Sequence, residues 1–244
     1  MRSHKTSNYR PDIDGIRAIA VLSVVAFHAF PSLVPGGFVG VDIFFVISGF
    51  LITQIIVAEL DSGNFKIRNF YSRRIRRIIP SLLVALVVAL ILGWILLLPE
   101  DFAQFGSVLA GSSVFITNFV LFAQVNYFDA AAVEKPLLHL WSLSIEEQFY
   151  IFWPVILIVI YRLRRFAFAI SFVLLFTSFG YAYAIHGSHE ELAFYSPLSR
   201  FWELLIGGLL AFIYLHHKDK LDLLNRFSFL PQLGSLVSLA LIYY

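Results

Sequence analysis

The chain has 244 residues, 59% of them hydrophobic and 14% charged, with a formal net charge of +2 and a mean hydropathy of +0.80. A soluble domain carries about 25% charged residues, so this composition excludes an ordinary soluble fold and places the chain among membrane proteins. With no cysteine, a disulfide framework, a thiolate nucleophile and a Cys-ligated zinc site are all excluded.

A membrane-crossing helix needs about 20 mostly apolar residues. In chain order the candidates are Ile13–Phe30, Phe38–Leu60, Ile78–Leu98, Phe102–Gln124, Trp141–Tyr161, Phe166–Ile185, Leu198–Leu215 and a last one starting near Phe229. The expected fold is therefore all-α: a polytopic transmembrane bundle of about seven to eight segments forming one domain over residues 1–244. The final segment reaches Tyr244 without a polar flank, so the domain is expected to be incomplete at its C-terminus. The first segment follows a polar leader, contains Arg17 and His28 and lacks a small-residue cleavage site, so it reads as a retained span.

Lys and Arg cluster at Arg2–Arg17, Lys66–Arg77, Arg162–Arg165 and Lys218–Arg226, and only Lys135 and Arg200 lie elsewhere. The positive-inside rule makes all four clusters, and the N-terminus, cytoplasmic. The clusters are short and border apolar spans, so nucleic acid is not an expected partner; the lipid bilayer is. Two cytoplasmic clusters must be separated by an even number of crossings, yet three candidates lie between Lys66–Arg77 and Arg162–Arg165. Phe102–Gln124 is the exception to expect, since it carries Gly106, Ser107, Gly111, Ser112, Ser113, Thr117 and Asn118. Irregular backbone survives at membrane depth only where protein or water shields it. This segment is expected to be re-entrant, broken or buried against its neighbours, leaving Val125–Leu140 outside.

Ionisable residues inside a membrane are functional candidates by default. Arg17 and His28 sit eleven positions apart in the first span, on one helical face and about 16 Å apart along its axis. Asp42 lies a few residues into the second span, where it is placed to orient His28 or to be hydrated at the interface. Arg73, Arg74, Arg76 and Arg77 form a dense guanidinium cluster ahead of the third span. It serves either as a positive-inside anchor or as a bidentate phosphate holder. The segment from Pro136 to Pro154 groups Ser144, Glu146, Glu147 and Tyr150 at the start of a span, suited to acid–base work, to sugar binding or to an interfacial belt. Arg200 and Glu203, three apart, suit an ion pair within the bundle.

Five blocks then read together: YRPDIDGIRAIAVLSVVAFHA, GGFVGVDIFFVISGFLIT, FYSRRIRRIIP, PLLHLWSLSIEEQFYIFWP and SRFWELLIGGLLAF. In this order they resemble the acyltransferase family 3 membrane proteins, which include bacterial enzymes that O-acetylate lipopolysaccharide O-antigen, capsule and peptidoglycan. Their form is similar to the subgroup with a C-terminal SGNH hydrolase-like domain, and no such domain is expected within these 244 residues. The resemblance implies an O-acetyltransferase of the bacterial inner membrane. Acetyl-CoA would be the donor substrate and a glycan the acceptor, with no permanently bound cofactor. It implies a catalytic role for His28, matches Arg17 to the family's basic residue ahead of that histidine, and assigns an R-x-x-R donor motif to Arg73 with Arg76 or Arg74 with Arg77. The competing class is a proton-coupled transporter, in which Arg17, His28, Asp42 and the glutamates would line a path.

Overall fold

The computed structural model describes residues 10–125 and 136–216, and among these every regular element is helical. The expected span from Phe229, the Lys218–Arg226 cluster and most of the Val125–Leu140 loop lie outside the described residues. The chain order is α1 (Pro11–Ala29), a 3-10 turn (Pro35–Val39), α2 (Gly40–Asp61), α3 (Ile67–Leu96), α4 (Pro99–Ser113) and α5 (Thr117–Val125). Then follow α6 (Leu140–Arg162), α7 (Ala167–His186), α8 (Glu190–Tyr195) and α9 (Pro197–His216).

Five helical stretches are long and apolar enough to cross a membrane: Pro35–Asp61, Ile67–Leu96, Leu140–Arg162, Ala167–His186 and Pro197–Leu215. Two expected spans fall short of that measure. In α1, Asp12, Asp14 and Arg17 occupy the first two turns. Only about 12 residues, or about 18 Å, then remain uncharged, which is less than a hydrocarbon core. The other is Phe102–Gln124, which is broken: α4 ends at Ser113 and α5 begins at Thr117, with Phe115 at φ 58° between them. The third helix also differs from expectation. It starts eleven residues before Ile78, so the arginine cluster is helical rather than a loop, as the good helix propensity of Arg allows.

The break is stabilised by its neighbours. Its exposed backbone groups and polar side chains are taken up by α6: Gln148 Nε2 donates to the Phe115 carbonyl at 2.8 Å, and the Thr117 amide donates to Ser144 Oγ at 3.2 Å. Asn118 donates to the Tyr195 carbonyl of α8 at 3.0 Å and accepts from Gln148 at 2.9 Å. Thr117 and Asn118 are fully buried, so irregular backbone here is shielded by protein, as the bilayer requires.

The core joins α2, α6 and α9 through Phe45, Ile52 and Ile56, through Ile145, Trp153 and Leu157, and through Leu204 and Phe212. Trp153 Nε1 donates to Thr53 Oγ1 at 2.7 Å, satisfying two polar groups inside that core. In contrast, α3 and α7 turn Val84, Trp94, Phe172, Val173 and Phe176 outward, a surface suited to lipid. The tightest contact is between α2 and α9. A Cβ on Gly49 would sit 1.9 Å from the Leu204 carbonyl oxygen, and one on Gly207 would sit 1.9 Å from that of Val46. Small residues let membrane helices approach this closely. Gly207→Ala is therefore expected to destabilise the protein by about 1–3 kcal/mol through overpacking. Gly180→Ala, whose added methyl meets nothing within 4 Å, is expected to be neutral or slightly stabilising. Thermal unfolding of the two detergent-purified variants checks the contrast.

Candidate active site

His28 lies in the last turn of α1, exposed, with its ring set by the helix that carries it. Its Nδ1 is 2.8 Å from the Val24 carbonyl oxygen. A carbonyl only accepts, so Nδ1 carries the proton and the neutral ring keeps its lone pair on Nε2. A helical residue thus presents one defined basic nitrogen, held by a bond to its own helix. The ring also meets His139, immediately before α6, edge to face at 4.5 Å between centroids. Partial burial, and then the neighbouring His28, hold the His139 imidazole below the usual histidine range. Arg17 sits on the same helix, half-buried, three turns toward the other end.

Asp42, in the first turn of α2, does not bond to His28. It pairs instead with Arg200 of α9: Arg200 NH1 lies 3.2 Å from Asp42 Oδ1 and 2.9 Å from Glu203 Oε1. The same guanidinium packs over the rings of Trp141 and Phe194, at 5.7 and 5.2 Å. Asp42 is held by a cation fixed on a distant helix, so its link to His28 is through the shared end of the bundle. Glu203 is almost fully buried and shares its carboxyl group between Arg200 and the neighbouring Asp42.

A second polar group lies deeper. Ser48 of α2 and Tyr150 of α6 both donate short hydrogen bonds to Glu146 Oε1. Arg74 of α3 stacks on the Tyr150 ring at 4.3 Å. By helical rise, Glu146 is about 10 Å and Tyr150 about 16 Å along α6 from His139. Adjacent Glu147 has one buried oxygen without a partner among the described residues. Tyr71 ties α3 to α6 by donating to the Ile151 carbonyl at 2.6 Å.

The arginines separate by role. Arg73 is engaged by Glu59 at 2.7 Å, joining α2 to α3 at the exposed surface. Arg74 instead faces Tyr150, while Arg76 and Arg77 are exposed. Sequence reasoning left the two R-x-x-R readings equal; geometry links Arg74, through its contact with Tyr150, to the polar interior and leaves Arg76 and Arg77 at the surface. The sequence placed His139 at the mouth of a span but did not pair it with His28, a contact only the folded bundle makes. The ring contacts of Trp141 with Phe194 (4.4 Å) and Tyr195 carried no local signal, because those partners lie over fifty residues away.

Comparison with known proteins gives a family model, described as an acyltransferase domain, matching residues 10–244. The Staphylococcus aureus protein named "Putative O-acetyltransferase SAS0844" is 37% identical over 227 residues, covering 90% of this chain and 37% of its own. The peptidoglycan O-acetyltransferase OatA of Listeria monocytogenes is 36% identical over 213 residues, covering 84% of this chain and 34% of its own. The Bacillus subtilis protein named "Putative peptidoglycan O-acetyltransferase YrhL" is 38% identical over 221 residues, with 86% and 34% covered. The chain thus spans little more than a third of the length of these relatives. No solved structure matches it.

The histidine pair makes a measurable statement about charge. His139 is expected to titrate below the ordinary histidine range. In a His28→Ala variant its midpoint should rise, because a neighbouring imidazolium no longer opposes its charging. Part of the depression should remain, since partial burial is its larger cause. Histidine ring chemical shifts followed by NMR across pH 4–8 check both; an unmoved midpoint would show that the rings do not interact.

Proposed function

The chain belongs to the acyltransferase family 3 proteins, whose model spans residues 10–244, and from that premise we propose that it is a membrane-bound O-acyltransferase. In this reading it moves acetyl from acetyl-CoA to a hydroxyl of a cell-surface glycan. The observation that carries the proposal is the His28 ring: Nδ1 is tied to the Val24 carbonyl, and the basic Nε2 is held at an exposed helix end. A sugar hydroxyl is a poor nucleophile at neutral pH, and a positioned imidazole contributes about 10²–10⁴-fold to its activation. The hydroxyl proton passes to Nε2 as the oxygen attacks the thioester carbonyl. The carbon–sulfur bond then breaks, and the departing coenzyme A thiolate takes up a proton. The acceptor class is supported by the name of OatA, a peptidoglycan O-acetyltransferase.

The donor side is assigned to the arginine cluster, where Arg74, Arg76 and Arg77 would hold the phosphates of coenzyme A as bidentate forks. Arg17, on the face of α1 that carries His28, guides the donor arm inward. The Ser48–Glu146–Tyr150 group, with Glu147 and Ser144 on the same helix, supports that path between the cluster and the histidine. Asp42, Arg200 and Glu203 brace the acceptor end. The protein would lie in the plasma membrane with its N-terminus cytoplasmic, as the basic clusters dictate.

His28→Ala is expected to lower glycan O-acetylation by about 100-fold or more while membrane insertion is unchanged. Mass analysis of ester-linked acetate on surface glycans, in cells expressing each form, reads the loss. Near-normal acetylation by a well-inserted variant would remove His28 from the chemistry.

The arginines give a second test. Lysine keeps positive charge but loses the planar fork. Arg74→Lys is expected to reduce transfer several-fold more than Arg73→Lys, because Arg73 is occupied by Glu59. Equal effects of the two substitutions, measured as the donor concentration giving half-maximal rate, would assign the cluster to anchoring alone.

A further inference from the structure

Between α7, α8 and the start of α9 the bundle opens into a cleft of about 510 Å³. Aromatic rings wall it: Phe179 and Tyr183 from α7, Phe194 from α8 and Trp202 from α9. Phe179 and Trp202 brace each other edge to face at 5.2 Å. Tyr183 is 81% exposed and presents its ring to the mouth of the cleft. Glu203 also lines this cleft; it is only 2% exposed and shares its carboxyl group between Arg200 and the neighbouring Asp42.

The charge around the cleft selects the chemistry of its ligand. Arg200, the cation in the wall, is already shared between Asp42 and Glu203. Exposed Glu190 adds a further carboxylate to the lining. Beside His186 and an arginine already occupied by two carboxyl groups, the lining offers no free guanidinium fork for phosphates, so it does not suit the donor coenzyme. Nor does it resemble the groove between α6, α7 and α9, of about 270 Å³, whose lining of Phe149, Phe152, Trp153, Leu174 and Leu205 is the surface a hydrocarbon chain would seek. Flat aromatic faces beside carboxyl groups, Glu190 at the rim and Glu203 at the base, fit a neutral molecule with an apolar C–H face and a rim of hydroxyls. That description is a pyranose ring.

We propose that this cleft is a carbohydrate-binding subsite that holds a sugar unit of the acceptor glycan; the assignment rests on the acyl-transfer reading for its purpose. Its place fits. Phe194 in its wall meets Trp141 at 4.4 Å, and two residues before Trp141 the His139 ring meets His28 at 4.5 Å. The cleft and the basic nitrogen therefore lie at one end of the bundle, separated by this aromatic row. The sugar in the cleft is a neighbour of the unit being acylated, and the subsite selects chain over monosaccharide.

The probe is an N-acetylglucosamine tetramer, added without acyl donor to the full chain in lipid nanodiscs and followed by saturation-transfer NMR. Saturable binding is expected, weakened about tenfold by Tyr183→Ala and by Glu203→Gln and unchanged by His28→Ala. Tyr183 is exposed, so its truncation leaves the core intact. A protein that transfers acetyl yet binds the tetramer no better than its Tyr183→Ala and Glu203→Gln variants overturns the subsite and leaves the reaction standing. Saturable, variant-sensitive binding by a protein that transfers nothing supports the subsite and rejects the reaction.

Discussion

The backbone contact of α2 with α9, at Gly49 against Leu204 and Gly207 against Val46, sets the spacing on which the polar groups of the bundle depend. Asp42 and Ser48 ride on α2, and Arg200 and Glu203 ride on α9. Their hydrogen bonds act over about 3 Å, and a shift of an ångström between the helices would lengthen the Arg200–Asp42 contact of 3.2 Å beyond use. Lipid offers no substitute partner for a charge so released. Two glycines without side chains thus stabilise an arrangement of charges that neither helix could hold alone.

The same cost of an unpaired polar group explains why Ser144, Glu146, Gln148 and Tyr150 of α6 are each directed at partners on neighbouring elements or on their own helix. Its Ser144 and Gln148 bond to the α4–α5 break, and its Glu146 accepts from Tyr150 on the same helix and from Ser48 of α2. One helix therefore both seals an irregular backbone and builds a charged interior. Pro154 lies beyond these groups and removes the amide partner of the Tyr150 carbonyl. Tyr71 bonds to the next carbonyl along, at Ile151, and holds α3 against this part of α6.

Polar groups fall into two sets along the bundle, with different characters. At the end occupied by His28, histidines, aromatic rings and carboxylates gather around one arginine. On α3, four arginines gather, one of them paired with Glu59 and another directed at Tyr150. A phosphate-bearing substrate suits the second set and a neutral, hydroxyl-bearing one suits the first. In the proposed reaction this separation keeps donor and acceptor from competing for one surface.

Much of this was legible in the residues alone. Apolar runs of about 20 residues dictate helices that lipid can surround, so the all-α class and five of the expected spans follow from hydropathy. Small and polar residues in Phe102–Gln124 marked the break, because such residues in a span must be shielded. His28 and the arginine cluster stood out as candidates for the same reason: ionisable groups in an apolar context are costly. The local bond from His28 to Val24, four residues back, is also within reach of sequence, being a helical i–4 contact. Pairings between remote segments were not. That Asp42 meets Arg200 rather than His28, that Arg74 rather than Arg73 turns inward, and that four rings from three helices enclose a cleft were decided only by the tertiary structure. Periodicity reports which face of a helix is apolar, while the rotation and approach of two helices are set by packing between residues up to 158 positions apart.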